Sequence, residues 1–118
     1  MDPHRLVEQV KASWNVEDPE ERRRLVEATY NEAVEVSSPY GESRGIAAQL
    51  KNIAEVRAQF PRLRCTGKVL SQHHGWVMDA WTTDFGGDRP PLHGIDVSLL
   101  DSTGRILKVI SFSPVPPP

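Results

Sequence analysis

The chain has 118 residues, a net charge of −2 at neutral pH, and one quarter of its residues charged with both signs interspersed. That length suits one domain around a single core, and the charge balance excludes the basic footprint of a nucleic-acid or anionic-membrane binder. A lone cysteine, Cys65, excludes an intrachain disulfide; with no apolar leader at the start and no run of about 20 apolar residues, the chain is expected to be cytoplasmic.

The first half predicts helices. Asp2-Pro3 reads as an N-cap followed by proline at the first helical position, and Leu6, Val7, Val10 and Trp14 then recur on one face. Asp18-Pro19-Glu20-Glu21 starts a second helix in the same way, with Leu25, Val26, Thr29 and Tyr30 as its buried face. Arg22-Arg23-Arg24 follows those acidic residues and reads as a solvated helix face. Val34-Glu35-Val36 alternates as a short strand, and Ser38-Pro39-Tyr40-Gly41 is a turn. Ile46, Leu50, Ile53 and Phe60 mark a third helix, which Pro61 stops.

The second half changes period from 3.6 to 2. Leu63, Cys65, Gly67 and Val69 alternate with Arg64, Thr66 and Lys68, and His73-His74-Gly75 makes a tight connection to a strand from Trp76 to Phe85. After a loop at Gly86-Gly87-Asp88-Arg89-Pro90-Pro91, strands are expected from Leu92 to Leu100 and from Arg105 to Phe112, joined at Asp101-Ser102-Thr103-Gly104. Three helices followed by four sequential strands read as α+β with a mainly antiparallel sheet. A single domain over 1–113 is expected, with a proline-rich tail at 114–118 that reads as a frayed end or a polyproline ligand.

The order of these elements resembles the nuclear transport factor 2-like superfamily, and its SnoaL-like, polyketide cyclase-like branch in particular. The marks are Trp14-Asn15-x-x-Asp18, Ser38-Pro39-Tyr40-Gly41, Phe60-Pro61, His73-His74-Gly75-Trp76, Gly94-Ile95-Asp96 and Leu100-Asp101-x-x-Gly104-Arg105-Ile106. The resemblance implies a cone: three N-terminal helices packed on a strongly curved, mainly antiparallel sheet, with a pocket between them. It also implies a homodimer through the outer sheet face. The same fold hosts isomerases, epoxide hydrolases, cyclases, dehydratases and binding subunits, so the site must decide.

Asp96 is the leading candidate. Gly94, Asp96 and Ser98 share one strand face and Ile95, Val97 and Leu99 the other, so one face combines small and polar groups with a single carboxyl. Strand parity alone leaves open which face lies inside. A neutral carboxylic acid in an apolar cavity can donate a hydrogen bond to a carbonyl or enolate. The Gly94-Ile95-Asp96 stretch resembles the ketosteroid isomerase strand that carries its oxyanion-hole aspartate. The bland alternative is an aspartate held by neighbouring hydroxyl or indole groups.

The other parts of that isomerase are missing, because Ser38 stands where its base precedes the turn proline and Val10 where its phenol stands. The epoxide hydrolases' Arg-x-Asp pair is likewise replaced by Trp81-Thr82-Thr83. Asp79 shares a face with Trp81 and Thr83, and a shifted register would make it a water-activating base paired with Asp96. His74 is the third candidate acid–base group, as a proton shuttle at the pocket rim, against a reading as an exposed turn histidine. Candidate ligand-binding residues are Trp81 and Tyr40 near the cone mouth, with Trp14, Ser38 and Phe60; aromatic walls suit a flat apolar guest, and equally a plain core. His93 faces away from Asp96, Cys65 has no neighbour to activate it, and the histidine spacing offers no metal set.

These readings converge on a domain that binds a small apolar or aromatic molecule anchored by Asp96, without metal or cofactor. The alternatives are an acid–base enzyme of cyclase, isomerase or dehydratase type, and a homodimeric interaction module without turnover. An apolar outer face of His93, Ile95, Val97, Leu99, Ile106, Ile110 and Phe112 would favour the homodimer.

Overall fold

The computed structural model describes residues 2–114. Both Asp-Pro signals start helices. Asp2 accepts from the His4 amide at 3.0 Å and opens α1 (Pro3–Asn15). Asp18 accepts from the Glu21 amide at 3.1 Å and opens α2 (Pro19–Thr29). The chain continues through β1 (Tyr30–Ser38), β2 (Gly41–Arg44), α3 (Ile46–Gln59), β3 (Arg64–His73), β4 (Trp76–Asp84), β5 (Leu92–Leu100) and β6 (Ile106–Phe112). From Val115 on, the tail lies outside the described residues.

The six strands form one open sheet in the order β2-β1-β6-β5-β4-β3. It is mixed: β1 runs parallel to β6, and every other neighbouring pair is antiparallel. The short strand expected at Val34–Val36 spans nine residues, because Tyr30 opens β1 instead of closing the second helix. Strand β2 was not expected. Its residues, Gly-Glu-Ser-Arg, carry no apolar alternation, and they pair only at the sheet edge with Glu35–Ser38.

The core lies between the helices and one sheet face. Leu6 and Val7 of α1, Val26 of α2 and Ile53 of α3 pack with Tyr30, Val34, Val77, Ile106 and Val109 of the sheet. Ile106 is 1% exposed and corrects the expected outer-face set. A register shift between Leu99 and Leu100 sets Leu100 against Ile106 and turns it inward, while Ile110 and Phe112 keep the outer face. The arginine run also needs correction. Arg23 and Arg24 are exposed, but Arg22 is buried and donates to the carbonyls of Ser13 (3.0 Å) and Val16. It thereby satisfies two carbonyls where α1 turns into α2.

Candidate functional site

The register of β4 on β5 runs unbroken from Trp76↔Leu99 to Thr83↔Leu92 and sets Asp79 directly opposite Asp96. Asp79, Val77 and Ser98 are all buried, so the face carrying Gly94, Asp96 and Ser98 is the inner one. Two carboxylates therefore meet on the inside of the cone.

Lys11 comes to meet them. It lies four residues after Val7 on α1, one helical turn along the same stripe, and is only 8% exposed. Its Nζ stands 3.3 Å from Asp79 Oδ2 and 3.9 Å from Asp96 Oδ2. The stem reaches that point by crossing β3 at Gly67, where a Cβ would come within 2.6 Å of the lysine Cε. Trp81 supplies the remaining partner, its indole Nε1 donating to Asp96 Oδ1 at 2.8 Å. The ring lies against Gly94 so closely that a Cβ there would stand 2.2 Å from it. Gly67, Trp81 and Gly94 are cross-strand neighbours in one row. The two glycines thus make room for the two groups that hold the carboxylates.

The carboxylates are not served equally. Asp96 accepts from the Trp81 indole and also faces Lys11, whereas Asp79 Oδ2 has the Lys11 ammonium alone, at 3.3 Å. Burial pushes the Asp79 carboxyl above its ordinary value and the charge of Asp96 adds to this, while Lys11 opposes it. Tyr30 is 3% exposed, and burial, reinforced by Asp96, raises its phenol so that it stays protonated. Between these groups lies a cavity of about 20 Å³.

Of the residues singled out in the sequence, the structure brings together Asp79, Asp96 and Trp81. Trp81 and Tyr40 do not form a pair: Tyr40 is 70% exposed in the β1–β2 turn, across the sheet from Trp81. The Ser38 hydroxyl accepts from the Tyr40 amide at 3.2 Å and serves that turn. Phe60 packs on Phe85, with ring centroids 4.6 Å apart and Arg89 over both rings. Trp14 packs against the core. His74 is exposed in the β3–β4 turn with φ +49°, its ring beside His73. His93 is on the outer face, 3.0 Å from the Thr82 hydroxyl. Cys65 is buried, and that burial raises its thiol above the ordinary value.

Lys11 was missed in the sequence. Its signal was a charged residue inside the apolar stripe of α1, between Val7, Val10 and Trp14. Among the described residues, no group of three or more His, Cys, Asp or Glu side chains is arranged to hold a metal ion. No helix among them is long and apolar enough to cross a membrane.

The raised carboxyl carries a sign that can be tested. An acid whose folded value lies above its unfolded value binds more protons when folded, so stability falls as pH rises from the ordinary carboxylate range through the folded value. Thermal melts across pH 4–8, about the range in which raised carboxyls titrate, should show this loss in the wild type. The difference curve against Asp79→Asn isolates it. A difference curve flat in pH would contradict the buried, raised Asp79.

No protein-family model matches the sequence, and no curated protein matches it at a significant level. Solved structures do. A proposed isomerase of the SnoaL-like family from Agrobacterium tumefaciens is 28% identical over 98% of this chain and all of its own, with a TM-score of 0.84. A proposed ketosteroid isomerase from Kribbella flavida is 20% identical, covering 98% of this chain and 82% of its own, with a TM-score of 0.73. A proposed polyketide cyclase from Streptomyces antibioticus is 15% identical, covering 96% and 92%, with a TM-score of 0.75. The last two show the fold alone. With three helices on an open mixed sheet, the chain has the nuclear transport factor 2-like fold, and its end-to-end likeness to the Agrobacterium protein is to the SnoaL-like branch of that superfamily.

Proposed function

We propose that this SnoaL-like domain takes a small apolar or aromatic molecule into the cone and carries out acid–base chemistry on its polar head, with Asp96 as the anchor. The observation that carries this reading is the pair Asp79 and Asp96, opposed across β4 and β5 beside a buried lysine. Such a cluster is costly to bury, and packed apolar side chains of the same volume are often no less stable. Carboxyls displaced from their ordinary values by burial and a like charge gather at working sites.

The roles follow from the contacts. Trp81 and Lys11 hold Asp96 from two sides, which suits an orienting group. Asp79, whose carboxyl burial raises above its ordinary value, is the group suited to hold and release a proton. The surrounding wall of Leu6, Val7, Val10, Val77 and Val109 favours an apolar guest.

The test is a thermal-shift screen of aromatic and polycyclic carbonyl compounds on the wild type and Asp96→Asn. A ligand at 100 times its Kd stabilises by about 2.7 kcal/mol, an effect the variant should lose while remaining folded. Hits are then followed in D2O, where the wild type should exchange protons alpha to the carbonyl and Asp79→Asn should not. Equal stabilisation of wild type and Asp96→Asn would remove the anchor role, and hits without exchange would remove the chemistry.

A second observation supports self-association. The outer face of β5 and β6 carries Ile95, Val97, Leu99, Ile110 and Phe112, with Phe112 56% exposed, and Met78 beside them on β4 is 39% exposed. A shallow depression of about 710 Å³ lies on the same face, lined in part by Ala80, Ile95 and Phe112. We infer a homodimer through this face. Sedimentation velocity should give twice the 13.2 kDa chain mass, and Phe112→Lys should shift the protein towards monomer. A wild type that sediments as a monomer would overturn this inference.

A further inference from the structure

Asp79 is 5% exposed, and the one donor near its Oδ2 is the Lys11 ammonium, 3.3 Å away and shared with Asp96. A buried carboxylate oxygen can accept more than one hydrogen bond, so a position for a further donor remains. The cavity of about 20 Å³ beside it is lined by Asp79, Asp96, Ser98 and Tyr30 together with apolar groups. A water needs about 10–15 Å³ and two to four polar partners. The cavity has room for a water and offers those polar partners.

We propose that this cavity is a binding site for one oxygen-sized hydrogen-bond donor: a water molecule in the free protein, replaced by the hydroxyl of a bound ligand. The chemical class follows from the walls. Asp79 Oδ2 can accept from a further donor, and Asp96 next to it is a second carboxyl, so charge disfavours a carboxylate or phosphate head. A water or hydroxyl donates to Asp79 Oδ2 and accepts from the Ser98 hydroxyl or the Tyr30 phenol. Burial, with Asp96 adding to it and a Gln49 hydrogen bond opposing, keeps the Tyr30 phenol protonated. A water can also donate its second hydrogen towards Asp96, and so joins the two carboxyls in one hydrogen-bonded chain. The water needs only the geometry; its replacement by a ligand hydroxyl rests on the function proposed above.

Two experiments separate these parts. A high-resolution crystal structure of the unliganded wild type should contain one ordered water about 2.7–3.0 Å from Asp79 Oδ2, and Ser98→Val, which fills the cavity, should lack it. As a check that needs no crystal of the variant, water-to-amide magnetisation transfer at Asp79 and Ser98 should persist in Tyr30→Phe, which removes the exchanging phenol. If Lys11 or a protein hydroxyl turns out to donate directly to Oδ2 with no water present, the site is overturned. For the ligand part, phenol and anisole are the probes. Phenol should bind at least tenfold more tightly, because methylation removes the donor. Equal affinities would overturn the hydroxyl assignment. If neither probe nor any carbonyl compound binds while the water is present, the proposed function and the hydroxyl assignment fall together and the water site stands.

Discussion

Two acidic side chains placed directly opposite one another on an antiparallel pair repel, and burial strengthens the repulsion because little solvent screens it. The β4–β5 register makes this unavoidable for Asp79 and Asp96. Much of the interior is arranged around that conflict. Lys11 is threaded across β3 where Gly67 leaves space, and Trp81 is laid on Gly94 so that its N–H reaches Asp96. Asp79, the less well served of the two, yields by taking a higher proton affinity. Adding a Cβ at Gly94 would meet the indole and the Phe112 carbonyl, so this glycine is as much part of the site as the acids it sits among.

The arrangement differs from the isomerase that the sequence resembles. There the second carboxylate precedes the turn proline; here Ser38 occupies that place and caps its own turn. The partner of Asp96 comes instead from the neighbouring strand, as Asp79, with a lysine from the first helix beside it. The buried ionisable groups are therefore not simply reduced in number. They are distributed differently over the same cone, which is why likeness of fold says little about the reaction.

Much of the fold was legible because its signals are local. Asp-Pro before an apolar stripe fixes φ and supplies a cap in one dipeptide, and both helices begin where it stands. Leu92–Leu100 was bounded correctly by a proline pair and an Asp-Ser-Thr-Gly turn, in which Asp101 accepts from Thr103 and Arg105 amides. What escaped depends on pairing between distant segments. Gly41–Arg44 is a strand only because β1 offers it an edge, and Ile106 faces inward only because of an irregularity opposite it. Arg22 and Lys11 were hidden for a different reason. Long cationic side chains read as surface, yet one is buried on helix-end carbonyls and the other on carboxylates. At the site, parity placed Asp79, Trp81 and Thr83 on one strand face, but parity could not supply the helix residue that crosses to them.

The central claim is that Lys11 and the carboxylates act as one buried unit. A double-mutant cycle with Lys11→Met and Asp79→Asn, read by urea denaturation at neutral pH, measures that coupling directly. Residues joined in one buried network typically couple by about 0.5–3 kcal/mol, and a value in the upper half of that range is predicted. The single effects should not add, since Lys11→Met leaves two facing carboxylates without the ammonium and Asp79→Asn leaves Lys11 with Asp96 alone. Additive single effects, with coupling near zero, would mean that Lys11 only passes close to Asp79 and that the site as described does not exist.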